Sequence, residues 1–174
     1  HCYDADKMNG RLVLQELDIN QEFETLLNKK INLKNKNSVF LLDDKVINLA
    51  GVMGGKSTSC SEDTTIALVE CAYFSPEEIL GKAIKYDINS DAAHKFERGV
   101  DPIFQETVLR RFISIVKEHA VVKSVEMVSY NYSEFKRVSI PMNVEKIKNI
   151  LGIEISEIEF EANLKKIGFE IIDA

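Results

Sequence analysis

The sequence predicts an α+β fold, in which a barrel- or sandwich-like mixed β core with flanking helices is followed by a partial small helical module. Short apolar segments separated by tight turns occupy the first half of the 174 residues, a pattern typical of β-hairpins. Capped segments with helical spacing of apolar residues follow in the second half. A change of composition near residue 130 predicts two domains, at residues 1–132 and 133–174.

Apolar segments that end at turn residues are the predicted strands. In the first domain they cover residues 12–17, 23–27, 31–33, 39–42, 46–50, 64–72 and 121–128. Asn and Asp tolerate turn conformations, so the segments 28–30 and 43–45 are predicted hairpin turns. In the second domain, residues 138–141 and 170–174 are predicted strands.

Capping residues mark the predicted helices of the first domain. Ser75 as N-cap, Pro76 at the first helical position and Glu78 as the capping-box partner predict a helix that runs to about residue 85. Asp101 begins the longest predicted helix, which ends near His119. Between the two lies a mixed-charge connector, residues 90–100.

The second domain carries two further helix signals. Asn143 caps a helix that stops at Gly152, and Ser156 caps another that stops at Gly168. Two short helices are too little for a complete module, and the chain begins without Met, so we expect both ends to be internal to a longer protein.

Charge and cysteine content narrow the class of protein. The net charge is −6 and the pI is about 5.2, whereas a free-standing nucleic-acid binder is usually basic. Three cysteines without a C-x-x-C spacing predict neither a disulfide framework nor a zinc site, and they favour a reducing cytoplasm. No apolar run reaches the length of a membrane span.

Four segments carry a family resemblance. Residues 49–55 read LAGVMGG, residues 69–74 read VECAYF, residues 90–102 read SDAAHKFERGVDP, and residues 1–4 read HCYD. In order and spacing they resemble the bacterial-type phenylalanyl-tRNA synthetase beta subunits, whose His-x-aromatic-Asp element matches residues 1–4. The resemblance covers essentially the whole chain. Tyr3 stands where this family usually has Phe and Ala93 where it often has Ser, and neither position is expected to be essential to the chemistry.

The resemblance implies the fold of this family's editing domain and an editing activity that hydrolyses mischarged tyrosyl-tRNA(Phe). The parent enzyme, a ligase of protein biosynthesis, attaches phenylalanine to tRNA(Phe) using ATP and Mg²⁺. The implied partners are the 3′ end of tRNA(Phe) and an alpha subunit in an α2β2 heterotetramer, which carries the ATP-dependent site. We therefore expect no cofactor and no metal in this segment.

Glu70 is the candidate residue for recognising the tyrosyl hydroxyl. It is a lone carboxylate in the apolar segment 66–72, where burial is costly without a partner. A phenol hydroxyl would be a charge-assisted partner. From the pattern alone, a solvent-facing Glu70 or a pair with Arg98 is favoured about two to one; the resemblance reverses that preference.

Five further residues are candidates for substrate binding. Ala50 and Ala92 are small enough to line a slot for an aromatic ring, although core alanines are the commoner reading. Gly51 and Gly54 allow close approach of backbone to a ligand, and turn or bulge glycines are about equally favoured. His1 is a candidate for positioning a water, the substrate amino group or the ribose. His94 is expected to face solvent or to brace the connector.

No Ser-His-Asp or Cys-His set can be assigned, so no catalytic residue is named beyond His1 as a positioning group. An aminoacyl ester is already activated, and we expect hydrolysis by an oriented water with oxyanion stabilisation, assisted by the terminal ribose hydroxyl of the tRNA. Two alternatives stay open. One is a non-catalytic scaffold fragment of the same subunit, and the other is an unrelated RNA- or peptide-binding module.

Overall fold

The computed structural model describes residues 1–131 and 135–172. The described residues fall into two compact units, one spanning His1–Asn131 and one drawn from Tyr132–Ala174. Both sheets lie in the first unit, with helices beside them, which confirms the predicted α+β class. The sheets of the described residues do not close into a barrel. The exact domain boundary at residue 132 remains a prediction.

The first unit contains six strands in two antiparallel sheets. They are β1 (Cys2–Asp4), β2 (Leu12–Glu24), β3 (Lys30–Leu42), β4 (Lys45–Leu49), β5 (Met53–Gly54) and β6 (Ala67–Val69). The four-stranded sheet has the order β2-β3-β4-β5, and β1 pairs with β6. An isolated bridge between Tyr3 and Ser59 adds a contact from β1 to the loop after β5.

β2 and β3 form one long hairpin, so the short strands predicted here are parts of two continuous ones. Their pairing runs from Leu12 opposite Leu42 to Glu24 opposite Lys30. Polar residues in the middle interrupt the apolar pattern but not the backbone ladder, which forms through main-chain groups alone. The predicted turns are confirmed, since Asn28 and Asp43 have φ of 57° and 52°.

The other strand predictions are wrong in length or in kind. The segment 64–72 contains only three strand residues, because β1, its partner, is equally short. Residues 121–128 and 138–141 are not strands, and neither is the described part of 170–174. These segments are apolar enough for strands, but among the described residues no neighbouring edge pairs with them.

The helix predicted from Ser75 is broken into α1 (Pro76–Ile79) and α2 (Lys82–Lys85). Gly81, with φ of 74°, lies between them in a left-handed conformation. The predicted capping box is also wrong. The Ser75 side chain makes no capping bond, and the Glu78 carboxylate instead accepts a 2.7 Å hydrogen bond from the Ser38 hydroxyl of β3.

The predicted connector contains a helix, α3 (Asp91–Phe96), capped by Ser90, whose Oγ accepts from the Ala93 amide and donates to the Val52 carbonyl. The longest helix, α4 (Gln105–His119), begins four residues after Asp101. No residue of α4 is buried, and three of its apolar residues, Val108, Phe112 and Ile115, are exposed.

The core lies against β3 and β4. Its fully buried side chains include Leu33, Val39, Ile47 and Leu49. The rings of Phe40 and Phe74, and those of Phe74 and Phe96, pack edge to face with centroids 6.3 Å and 5.1 Å apart. This aromatic chain connects the sheet to α3.

The second unit contains α5 (Val144–Leu151) and α6 (Glu157–Lys166), and both predicted caps are confirmed. The Asn143 side chain accepts from the Lys146 amide, and the Ser156 hydroxyl accepts from the Glu159 amide. Gly152 ends α5 with φ of 69°. Of the helices in the described ranges, none is both long and apolar enough to cross a membrane.

Candidate functional site

The pairing of β1 with β6 brings the segment of His1 and Tyr3 next to the segment that contains Glu70. Tyr3 lies opposite Leu68, and the pairing extends one residue further to His1 and Glu70. The His1 nitrogen donates to the Glu70 carbonyl, and the Glu70 amide donates to the His1 carbonyl, each over 2.7 Å. Side chains alternate along a strand, so this register fixes where each points.

The carboxyl of Glu70 forms a polar cluster with Tyr3 and Asn48. The Tyr3 hydroxyl donates to Oε2 of Glu70 over 2.7 Å, and Nδ2 of Asn48 donates to the Tyr3 oxygen over 2.7 Å. The same nitrogen of Asn48 lies 3.4 Å from Oε2 of Glu70. Tyr3 and Asn48 are buried, with 1% and 4% of their surface exposed, whereas Glu70 is partly exposed.

Burial controls the electrostatics of this cluster. It raises the pKa of the Glu70 carboxyl above its usual range, and the hydrogen bond from Tyr3 partly offsets that shift. Burial together with the Glu70 charge raises the pKa of Tyr3 well above that of a free phenol. Tyr3 is therefore a neutral donor, and Glu70 is the group of this pair that titrates at lower pH.

Neither of the commoner sequence readings describes Glu70. Its carboxyl is not directed fully to solvent, and its partners are Tyr3 and Asn48. Arg98 instead donates to the Glu97 carboxylate over 2.6 Å and to the His94 carbonyl over 2.9 Å. His94 thus braces the connector, which is one of the two roles predicted for it. The role of Glu70 in recognising a substrate remains a prediction.

His1 and Gly54 lie side by side next to this cluster. The His1 ring packs edge to face on Tyr3 with centroids 4.5 Å apart. A Cβ on Gly54 would lie 2.1 Å from Cε1 of His1, so only glycine leaves room for the imidazole here. Gly54 pairs with Asn48 of the cluster in the β4–β5 ladder. Two of the predicted site residues, His1 and Gly54, therefore lie beside the cluster.

The other predicted residues lie in different surroundings. Gly51 has φ of 68°, and a Cβ there would lie 2.6 Å from Cδ1 of Ile79, so this glycine allows a turn to pack against the core. Ala50 is fully buried, and its amide donates to the Ser38 carbonyl. Ala92 is exposed on α3. Among the described residues, no hydrogen bond joins Gly51, Ala50 or Ala92 to Glu70.

An open groove of about 910 Å³ lies elsewhere in the first unit. It contains none of the predicted site residues. It is lined by Gln21, Glu22, Phe23, Glu24, Leu42, Asp43, Asp44, Lys45, Val46, Lys56 and Ser57. Four acidic and two basic side chains line it, so both signs of charge are present with an excess of negative charge.

Two residues of the cluster, and Asp4 next to Tyr3 in β1, were missed as functional candidates. Tyr3 and Asn48 bind Glu70, and Asp4 accepts from the Thr64 hydroxyl over 2.9 Å and so fixes β1 to the loop before β6. One signal was available for Asn48, an amide in an otherwise apolar strand, since buried polar groups need partners. The sequence alone gave Tyr3 no role.

The described residues contain no group of three His, Cys, Asp or Glu side chains placed to hold a metal ion. Cys2, Cys60 and Cys71 are free thiols. The cluster presents a carboxyl, a phenol and an amide, and the His1 ring beside it adds an imidazole.

Comparison with known proteins identifies the family. The model of the B3/4 domain matches residues 1–121. The chain is 31% identical to the phenylalanine–tRNA ligase beta subunit of Francisella tularensis over 172 residues, covering 95% of this chain and 21% of that protein. The beta subunits of Neisseria meningitidis serogroup B and Novosphingobium aromaticivorans are also 31% identical, over 98% and 99% of this chain and 22% of each relative.

The chain thus spans about a fifth of the length of the relatives that it matches. The matched region of the family model includes β1 to β6 and the whole Tyr3–Glu70–Asn48 cluster. The chain therefore belongs to the B3/4 domain family, and nearly all of it is similar to one segment of bacterial phenylalanine–tRNA ligase beta subunits.

Proposed function

We propose that this segment hydrolyses tyrosyl-tRNA(Phe) within a phenylalanine–tRNA ligase beta subunit, and that Glu70 recognises the tyrosyl hydroxyl. One observation carries the proposal: the partly exposed carboxyl of Glu70 already accepts a phenol hydroxyl, that of Tyr3, over 2.7 Å. A carboxyl that binds one phenol in this setting has the chemistry required to bind a second.

The physical need for such a residue follows from the two amino acids. Phenylalanine and tyrosine differ by one hydroxyl, and an apolar pocket rejects an added hydroxyl by only about 100-fold. A site built to hydrogen-bond that hydroxyl discriminates by roughly 10⁴ or more, because the analogue without it leaves a buried polar group unpaired. Glu70 is such a polar group, since its carboxyl is only partly exposed and burial raises its pKa above the usual range.

The proposed chemistry is attack of an oriented water on an ester that is already activated. His1 is the proposed positioning group, because its imidazole lies against Tyr3 and Gly54, beside Glu70. Backbone groups near Gly54 and Gly51 are the proposed contacts of the substrate, with Ala50 and Ala92 beside the ring. No covalent nucleophile is required.

The remaining properties belong to the parent enzyme. We propose that it joins phenylalanine to tRNA(Phe) with ATP and Mg²⁺ at a site on an alpha subunit, in an α2β2 assembly in the cytoplasm. This segment would receive only the tRNA 3′ end. Its proposed editing domain spans residues 1–132, and residues 133–174 begin the following module.

The test uses the complete ligase that carries this segment. Glu70→Ala should lower the ratio of tyrosyl-tRNA(Phe) to phenylalanyl-tRNA(Phe) hydrolysis by at least about tenfold, because the substrate hydroxyl loses a charged partner. Aminoacylation with phenylalanine should not change. Glu22→Ala is the matched control, since Glu22 is an exposed carboxylate paired with Lys30. Unchanged rate and selectivity for Glu70→Ala would remove Glu70 from the site.

A further inference from the structure

The direction of the hydrogen bonds around Tyr3 is fixed by the chemistry of its two partners. The amide nitrogen of Asn48 can only donate, so the Tyr3 oxygen accepts from it over 2.7 Å. A phenol has one hydrogen, and Oε2 of Glu70 accepts it over 2.7 Å. Asn48 adds a second, longer approach of 3.4 Å to the same oxygen.

The two oxygens of Glu70 are therefore not equivalent. Oε2 faces two donors from inside the protein. In the described part of the chain, no protein group hydrogen-bonds to Oε1, and this oxygen is not fully buried. A carboxylate can accept at both oxygens, so Oε1 retains its full capacity to bind a ligand donor.

The two donors are held rigidly. Tyr3 lies within β1, paired with Leu68 and packed against the His1 ring. Asn48 lies within β4, paired with both β3 and β5. Both side chains are almost fully buried. If either rotated away, buried polar atoms would be left without a hydrogen-bond partner, which is costly.

We propose that Tyr3 and Asn48 are positioning residues, which hold Oε2 of Glu70 inside the protein so that Oε1 is the atom presented to the tyrosyl hydroxyl. This inference rests on the proposed role of Glu70. It assigns a function to the hydroxyl that distinguishes Tyr3 from phenylalanine, a position for which the sequence predicted no chemical role. Without that hydroxyl, the carboxyl can rotate about its terminal torsion and presents no single oxygen to the substrate.

Tyr3→Phe tests the inference, because it removes the hydroxyl and keeps the ring that packs on His1. In the complete ligase, the ratio of kcat/KM for tyrosyl-tRNA(Phe) over phenylalanyl-tRNA(Phe) should fall about tenfold. Hydrolysis of phenylalanyl-tRNA(Phe) should fall much less, since that substrate has no hydroxyl for Oε1 to bind. A merely structural loss would instead lower both hydrolysis rates together.

A double-mutant cycle separates this inference from the proposed function. When Glu70 is already alanine, Tyr3→Phe should change selectivity no further. If Glu70→Ala abolishes selectivity and Tyr3→Phe leaves it intact, the positioning role is wrong and the role of Glu70 stands. If Tyr3→Phe raises selectivity, Tyr3 competes with the substrate, which also overturns the inference. Unchanged selectivity in Glu70→Ala overturns the proposed function itself.

Discussion

The hydroxyl of Tyr3 donates to Oε2 of Glu70 over 2.7 Å, between residues 67 positions apart in the sequence. Asn48 of β4 donates to the same hydroxyl. The cluster thereby connects the two-stranded sheet of β1 and β6 to the four-stranded sheet that contains β4. A hydrogen-bonded link between sheets contributes to stability as well as to the chemistry of the site.

The first prediction concerns that link. Asn48→Ala should lower the free energy of unfolding by about 2 kcal/mol, because the buried Tyr3 oxygen loses its donor. Urea titration measures the change. Asn20→Ala is the control, since Asn20 lies exposed on β2 and its loss should change stability by less than about 0.5 kcal/mol. Equal effects of the two substitutions would contradict the structural role of Asn48.

The second prediction separates packing from backbone conformation at glycine. Gly51 and Gly81 have similar φ, 68° and 74°, but only Gly51 faces close atoms, with Ile79 Cδ1 2.6 Å from an added Cβ. Gly81→Ala should therefore cost only about 1 kcal/mol of conformational strain, whereas Gly51→Ala should cost about 2 kcal/mol more. Thermal unfolding of the two variants checks the difference, and equal losses would show that the clash is relieved by movement.

The third prediction uses Gly54 to examine His1. Gly54→Ala places a methyl group 2.1 Å from Cε1 of His1, so the imidazole must leave its place beside Tyr3. NMR signals of the His1 ring should shift, while stability changes by less than about 1 kcal/mol because φ of Gly54 is not in the left-handed region.

If His1 positions the water, Gly54→Ala should slow hydrolysis of tyrosyl-tRNA(Phe) in the complete ligase to the same degree as His1→Ala. The double variant should then be no slower than either single one. A normal rate for Gly54→Ala, alongside a slow His1→Ala, would show that the ring acts from another place.

The fourth prediction concerns pH. The pKa of Glu70 is raised in the folded chain, mainly by burial, so the folded state binds more protons than the unfolded state above the ordinary pKa of 4.5. The stability contribution of this carboxyl is therefore complete below 4.5 and is lost as the pH rises through the folded pKa. Glu70→Gln should remove that loss.

Urea titrations of both proteins from about pH 4.5 to about pH 7.5 measure the difference. The neighbouring groups stay the same in the two proteins: the His1 ring and amino nitrogen, the Tyr3 phenol and the Cys71 thiol. The stability of the unsubstituted protein relative to Glu70→Gln should fall with rising pH. A constant difference would mean that the pKa of Glu70 is not raised.

Local signals in the sequence were sufficient for several features. The caps at Asn143 and Ser156 and the turns at Asn28 and Asp43 depend on residues within three or four positions, and all are confirmed. The capping box at Ser75 failed because a distant group, the Ser38 hydroxyl, binds Glu78. The predicted strand at 121–128 failed because a strand requires an edge with which to pair.

For the candidate site too, some features follow from local sequence and others only from the tertiary structure. The sequence by itself marked Glu70 as an unusual carboxylate in an apolar segment, because that anomaly lies within a few residues. Only the tertiary structure decided its partners, since Tyr3 and Asn48 are 67 and 22 residues away and reach it through strand pairing. The register of β1 against β6, set by long-range contacts, places the Tyr3 hydroxyl where it donates to Oε2 of Glu70.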